Sequence, residues 1–154
     1  MVFPRFLIFV AACLVLLVYF FAGISDPAIE TLGHGEFRIY SREKISSPLV
    51  TRRIDTATSF IYITSSTNAA ALRSKFRHID GESLRLYTRL SAGQVLERLG
   101  KHYVSSMDGF ARITYGHSQS ARTRVSSNGK DISIQIVEKD GRTIVGWPVL
   151  LGGW

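Results

Sequence analysis

At 154 residues with one cysteine, the chain has room for about one domain beyond its apolar start and no thiols for a disulfide framework or a Cys-based zinc site. Its hydrophobic fraction of 45%, spread along the whole length, excludes wholesale disorder. Of 19 Lys and Arg only Arg5 precedes the apolar run, and all 12 acids follow it, so the remainder carries 18 − 12 = +6, a balance that favours anionic surfaces and also serves plain solubility.

Phe6 to Ile24 reads FLIFVAACLVLLVYFFAGI, without a charge. As a helix this run is roughly 28 Å long, close to the hydrocarbon thickness of a bilayer. The expected organisation is a signal anchor over 1–25, a linker over 26–35 and an extracytoplasmic domain over 36–154. A cleaved secretory signal is the alternative, with Gly23 and Ser25 at −3 and −1 before Asp26. The apolar stretch is longer than a secretory h-region usually is. Val10 to Cys13 resembles a lipobox, but the sequence stays apolar after Cys13 where a lipoprotein turns polar. Arg5 on one flank, with Asp26 and Glu30 on the other, places the domain outside the cytoplasm. Arg38 and Arg42 pull the other way.

Pro27, Gly33 and Gly35 mark Ser25 to Gly35 as a loop. Glu36 to Ser41 alternates, with Phe37 and Ile39 on one face of a strand. Thr56 to Thr64 is rich in β-formers and reads as a second strand. Ser66, Thr67 and Asn68 offer caps to a helix whose apolar stripe is Ala69, Leu72, Phe76 and Ile79. Asp80-Gly81 turns into a strand over Glu82 to Arg89, with Leu84 and Leu86 inward. Ser91 and Gln94 form a capping-box pattern before a second stripe of Val95, Leu96, Leu99 and Tyr103. Met107 to Gly109 turns into a strand over Phe110 to Tyr115. Arg122 to Val125 pairs with Asp131 to Glu138 across Asn128-Gly129, a type I′ signal. There Ile132, Ile134 and Ile136 face the core, and Ser133 and Gln135 face away. Asp140-Gly141 turns into Thr143 to Trp147, which Pro148 marks as an edge strand. The expected fold is α+β: an N-terminal transmembrane helix, then a small domain with a mostly antiparallel sheet, two helices on one face and a C-terminal β-meander.

Chemistry leaves little trace. His34, His78, His102 and His117 lack helical metal spacing, and capping of helix ends explains them as well. There is no G-x-S-x-G elbow, no phosphate loop and no evident pair of carboxylates. No cofactor is expected. Arg52 and Arg53, then Arg73, Lys75 and Arg77, then Arg122 and Arg124 form three basic groups suited to phosphates or other anions. The tail from Trp147 to Trp154 is apolar, and Trp147, Leu150, Leu151 and Trp154 are candidates for contact with a partner or the membrane, or for docking on the domain itself. The expected function is a membrane-anchored extracytoplasmic binding or assembly module without evident catalysis, its partner a protein or an anionic envelope component. The alternatives are a basic domain facing the cytoplasm that binds headgroups or, less in keeping with the reading, nucleic acid, and a hydrolase whose site is assembled only by the tertiary structure.

Overall fold

Period-two alternation in Gly35–Ser41 and Gly81–Leu86 puts Phe37, Ile39, Leu84 and Leu86 on one side of adjacent strands, and these side chains start the core. A computed structural model describes residues 28–117 and 125–148. The strands are β1 (Gly35–Ser41), β2 (Arg52–Asp55), β3 (Phe60–Ser65), β4 (Gly81–Leu86), β5 (His102–Met107), β6 (Arg112–His117), β7 (Val125–Ser127), β8 (Lys130–Ile132), β9 (Ile134–Lys139) and β10 (Arg142–Trp147). Eight of them form one sheet in the order β2-β3-β1-β4-β10-β9-β6-β5, each pair antiparallel, and β7 and β8 form a separate hairpin. Two short helices, α1 (Ala69–Arg73) and α2 (Ala92–Arg98), pack Leu72, Val95 and Leu96 against the sheet. The protein is thus a small α+β domain with an antiparallel sheet and two helices.

Local signals explain much of this. Ser91 accepts from the Gln94 amide while the Gln94 side chain accepts from the Ser91 amide, closing the capping box of α2. Asn128-Gly129 and Asp140-Gly141 take positive φ (50° and 72°, 49° and 71°), as type I′ hairpin turns require.

Several expectations are corrected. Residues 28–34 are more than a linker: Ile29 and Leu32, on a 3₁₀ turn over Ile29–Leu32, are core residues. The second strand is a hairpin, with β2 and β3 separated by the turn Thr56–Ser59. The first helix ends at Arg73, so Phe76 and Ile79 reach the core from the following loop. Gly100, at φ 60°, stops α2. Tyr103 therefore lies on β5 and is exposed. Strand β10 is central, between β4 and β9, and Pro148 follows its last paired residue, so no ladder bond is lost. Gln135 is buried because β9 has a packed layer on both faces, where Val137 joins Ala111 and Ile113 in a second small core, and Ser133, just before β9, is buried where β8 lies against β6. The expected run from Asp131 to Glu138 is interrupted at Ser133, between β8 and β9.

The sheet has two distinct ends. Ser41, Gly81 and Trp147 lie at one end; Leu86, Lys139 and Arg142 lie at the other. The first is called the proximal end because the chain leaves the described residues there, after Pro148. The chain joins the sheet at the other end, where Gly35 stands opposite Leu86, but the residues before it are linked to the first. Glu30 is tied by Arg73 to Glu82, which stands opposite Trp147 in the ladder. Among the described residues no helix is long and apolar enough to cross a membrane, and Phe6 to Ile24 lies outside them.

Candidate anion-binding site

Three loops meet at the distal end. Asp140-Gly141 turns the chain so tightly that Lys139 and Arg142 face each other. The turn between β5 and β6 carries Asp108 and Gly109. The loop from β4 to α2 carries Arg89 and is pinned to β10 by Thr143, whose Oγ1 accepts from the Leu90 amide at 3.1 Å and donates to the Leu90 carbonyl at 2.6 Å. Between them lies a cleft of about 550 Å³ lined by Arg89, Asp108, Arg112, Glu138, Lys139, Asp140 and Arg142, with Gly109 and Gly141.

Four cations thus share the cleft with three carboxylates. Arg112 donates from Nε to Asp108 at 2.8 Å, and this bond holds its guanidinium pKa above the usual value. Lys139 sits 3.7 Å from the centre of the exposed Phe110 ring. Arg89 and Arg142 make no ion pair among the described residues. A guanidinium with its donors free matches carboxylate and phosphate oxygens two at a time, so these two side chains are equipped to take an anion.

The basic residues singled out by sequence are scattered. Arg73 is spent internally. It donates to Glu30 at 2.7 and 2.8 Å and to Glu82 at 2.6 and 3.1 Å, and lies 5.5 Å over the Phe37 ring. Its pKa is raised, first by the hydrogen bonds to Glu30. Arg52 and Arg53 are neighbours on edge strand β2 and point to opposite faces; Arg53 is engaged by Asp55 at 2.6 Å. Lys75 and Arg77 lie in the exposed loop after α1, at the proximal end. Arg122 and Arg124 lie outside the described residues. Of the tail candidates, Leu150, Leu151 and Trp154 also lie outside them. Trp147 is 6% exposed, packed in the core, with the Lys101 ammonium 4.6 Å over its ring. Its burial takes it off the surface.

Sequence reasoning missed Arg89, Arg112 and Arg142. They are 23 and 30 residues apart, and no local spacing links them. The turns at Asp108-Gly109 and Asp140-Gly141, both of which line the cleft, were visible as signals, but not their meeting.

His78 Nε2 lies 3.2 Å from Asp80, on an exposed loop. His102 and His117 face each other across β5 and β6, and His117 Nδ1 is buried without a hydrogen bond. Among the described residues no three His, Cys, Asp or Glu side chains converge as a metal cradle. A second hollow of about 490 Å³, between the β7–β8 hairpin and β5, is lined by Ser105, Ser106, Tyr115, Lys130 and Gln135 among others, and neither hollow is lined by a histidine. No protein-family model matches the chain, and no curated protein or solved structure matches it.

Proposed function

We propose that the chain is a membrane-anchored binding module whose domain stands outside the cytoplasm and takes an anionic envelope component in the distal cleft. The observation that carries the reading is the convergence of Arg89 and Arg142, free of ion pairs among the described residues, with Arg112 and Lys139 in one hollow. The uncharged run from Phe6 to Ile24 supports the anchor, being long enough to span the bilayer. An anchor near the proximal end leaves the cleft about a strand length away, roughly 20 Å for six residues, and open to a ligand on the far side of the domain.

The probe is inorganic polyphosphate, titrated against the full chain in neutral lipid nanodiscs. Binding is expected at low salt and weakens as salt rises, because condensed counterions are released. Arg89→Gln with Arg142→Gln should weaken it at least tenfold. A double variant that binds like the parent sinks the cleft as the site. The anchor is tested separately: the full chain should stay with membranes through alkaline washing, whereas a mature protein starting near Asp26 supports secretion. A reporter active only outside the cytoplasm, fused after Trp154, should be active. Activity of a cytoplasmic reporter alone overturns the orientation and favours the inward-facing alternative.

A further inference from the structure

The proximal end carries a second basic surface, assembled from two segments that are far apart in sequence. The Glu43 carboxylate accepts from the backbone amides of Arg77 (3.2 Å) and His78 (2.6 Å), and Ser41 Oγ donates to the His78 carbonyl at 2.7 Å. These bonds clamp the loop after α1 onto the end of β1. Arg42 and Lys44 come to lie beside Lys75 and Arg77, and all four are exposed.

The acids of this surface are already occupied. Glu43 is committed to amides, and Asp80 receives both Arg42 and His78 at 3.2 Å. Lys44, Lys75 and Arg77 make no ion pair among the described residues. Four cations stand here against two carboxylates, a larger surplus than the four against three of the distal cleft.

Position decides what this field meets, and position rests on the anchor proposed above. Ile24 ends the uncharged run and Ile29 is fully buried in the core, so the five steps between them span at most about 17 Å even when extended. The domain cannot stand further than that from the bilayer. The Arg73 network ties Glu30, beside Ile29, to Glu82 near the end of the sheet where Trp147 leaves, and the four cations lie at that same end, beside the end of β1.

We infer that the proximal end rests on the membrane surface, with Arg42, Lys44, Lys75 and Arg77 against anionic lipid headgroups. A cation close to an anionic lipid surface is attracted to it, and the contribution fades within a Debye length. The surface thus sets the domain's tilt and turns the distal cleft outward.

The test uses the full chain in vesicles of phosphatidylcholine alone or with phosphatidylglycerol, each containing a headgroup-attached quencher. In a Cys13→Ser background, a fluorophore is placed through Ser74→Cys at the proximal end or Tyr87→Cys at the distal end. Quenching is expected at 74 and not at 87, several-fold stronger with phosphatidylglycerol. It should fall to the phosphatidylcholine level when Lys44, Lys75 and Arg77 are all changed to Gln, with the melting temperature retained. Equal quenching at both sites, stronger quenching at 87, or indifference to phosphatidylglycerol overturns the inference. Alkaline extraction of the same vesicles afterwards reads the anchor independently: a chain that is released fails the anchor reading, while the quenching already recorded still decides the surface contact.

Discussion

The guanidinium of Arg73 grips the carboxylate of Glu30 with two hydrogen bonds, Nη1 to Oε1 at 2.7 Å and Nη2 to Oε2 at 2.8 Å, across 43 residues of chain. The same guanidinium holds Glu82, so one cation is shared by two carboxylates whose side chains are 13% and 8% exposed. This arrangement staples the incoming chain to the sheet.

Removal of that cation should be costly. Arg73→Met takes the shared guanidinium away from two largely buried carboxylates and should destabilise by about 3 kcal/mol. Arg73→Lys should recover only part, because an ammonium cannot bridge two carboxylates with paired bonds. Chemical denaturation followed by tryptophan fluorescence reads both. A Met variant as stable as the parent would show that the staple adds no net stability.

Acid should weaken the same contact. Burial alone would raise the Glu30 carboxyl, but bonds from Arg73, a backbone amide and the Arg73 charge together bring it below its ordinary 4.5. A carboxyl lowered on folding stabilises the folded state fully above its unfolded pKa, and that stability disappears as pH falls through the folded value. Stability should therefore drop below about pH 4.5, and Glu30→Gln should flatten that part of the profile while lowering stability at neutral pH. Parallel profiles for the two proteins would assign the acid loss to other groups.

Strand β9 and Ser133 just before it distinguish a half-buried segment from one buried on both faces. Ile134 and Ser133 are both 0% exposed, and the Ser133 amide donates to the Gly116 carbonyl at 3.0 Å. Ile134→Asp and Ser133→Asp should each destabilise by several kcal/mol, since each buries a charge. Alternation by itself makes the second change mild. A melting temperature for Ser133→Asp close to that of the parent would support alternation over the packed second face.

Gly116 tests how closely α2 approaches the sheet. A Cβ there would run into Leu96 Cδ2 and come within 2.7 Å of Ile134 Cγ2. Gly116→Ala should cost about 1–3 kcal/mol by overpacking. Leu96→Ala, destabilising alone, should cost less when combined with Gly116→Ala, because the added methyl occupies part of the space that the leucine vacates. Strict additivity of the two changes would mean that they do not meet.

Much of the local architecture was legible in the residues. Ser91 and Gln94 announced their capping box, Asn128-Gly129 and Asp140-Gly141 their turns, and the alternation through Phe37, Ile39, Leu84 and Leu86 its strands. Each of these depends on atoms a few positions apart, through backbone conformation or side-chain period, so sequence by itself determined it. The neighbours of each strand did not follow from period. Placing β10 between β4 and β9 made a strand marked as an edge central, and packing on both faces buried Gln135 on β9 and Ser133 just before it. The fate of charge was decided in the same way. Arg73 was drawn inward by two acids distant in sequence, while Arg89, Arg112 and Arg142, isolated from one another along the chain, were brought to one cleft. An arginine's availability depends on which carboxylates lie within hydrogen-bond reach, and that distance is set by the packing of the sheet.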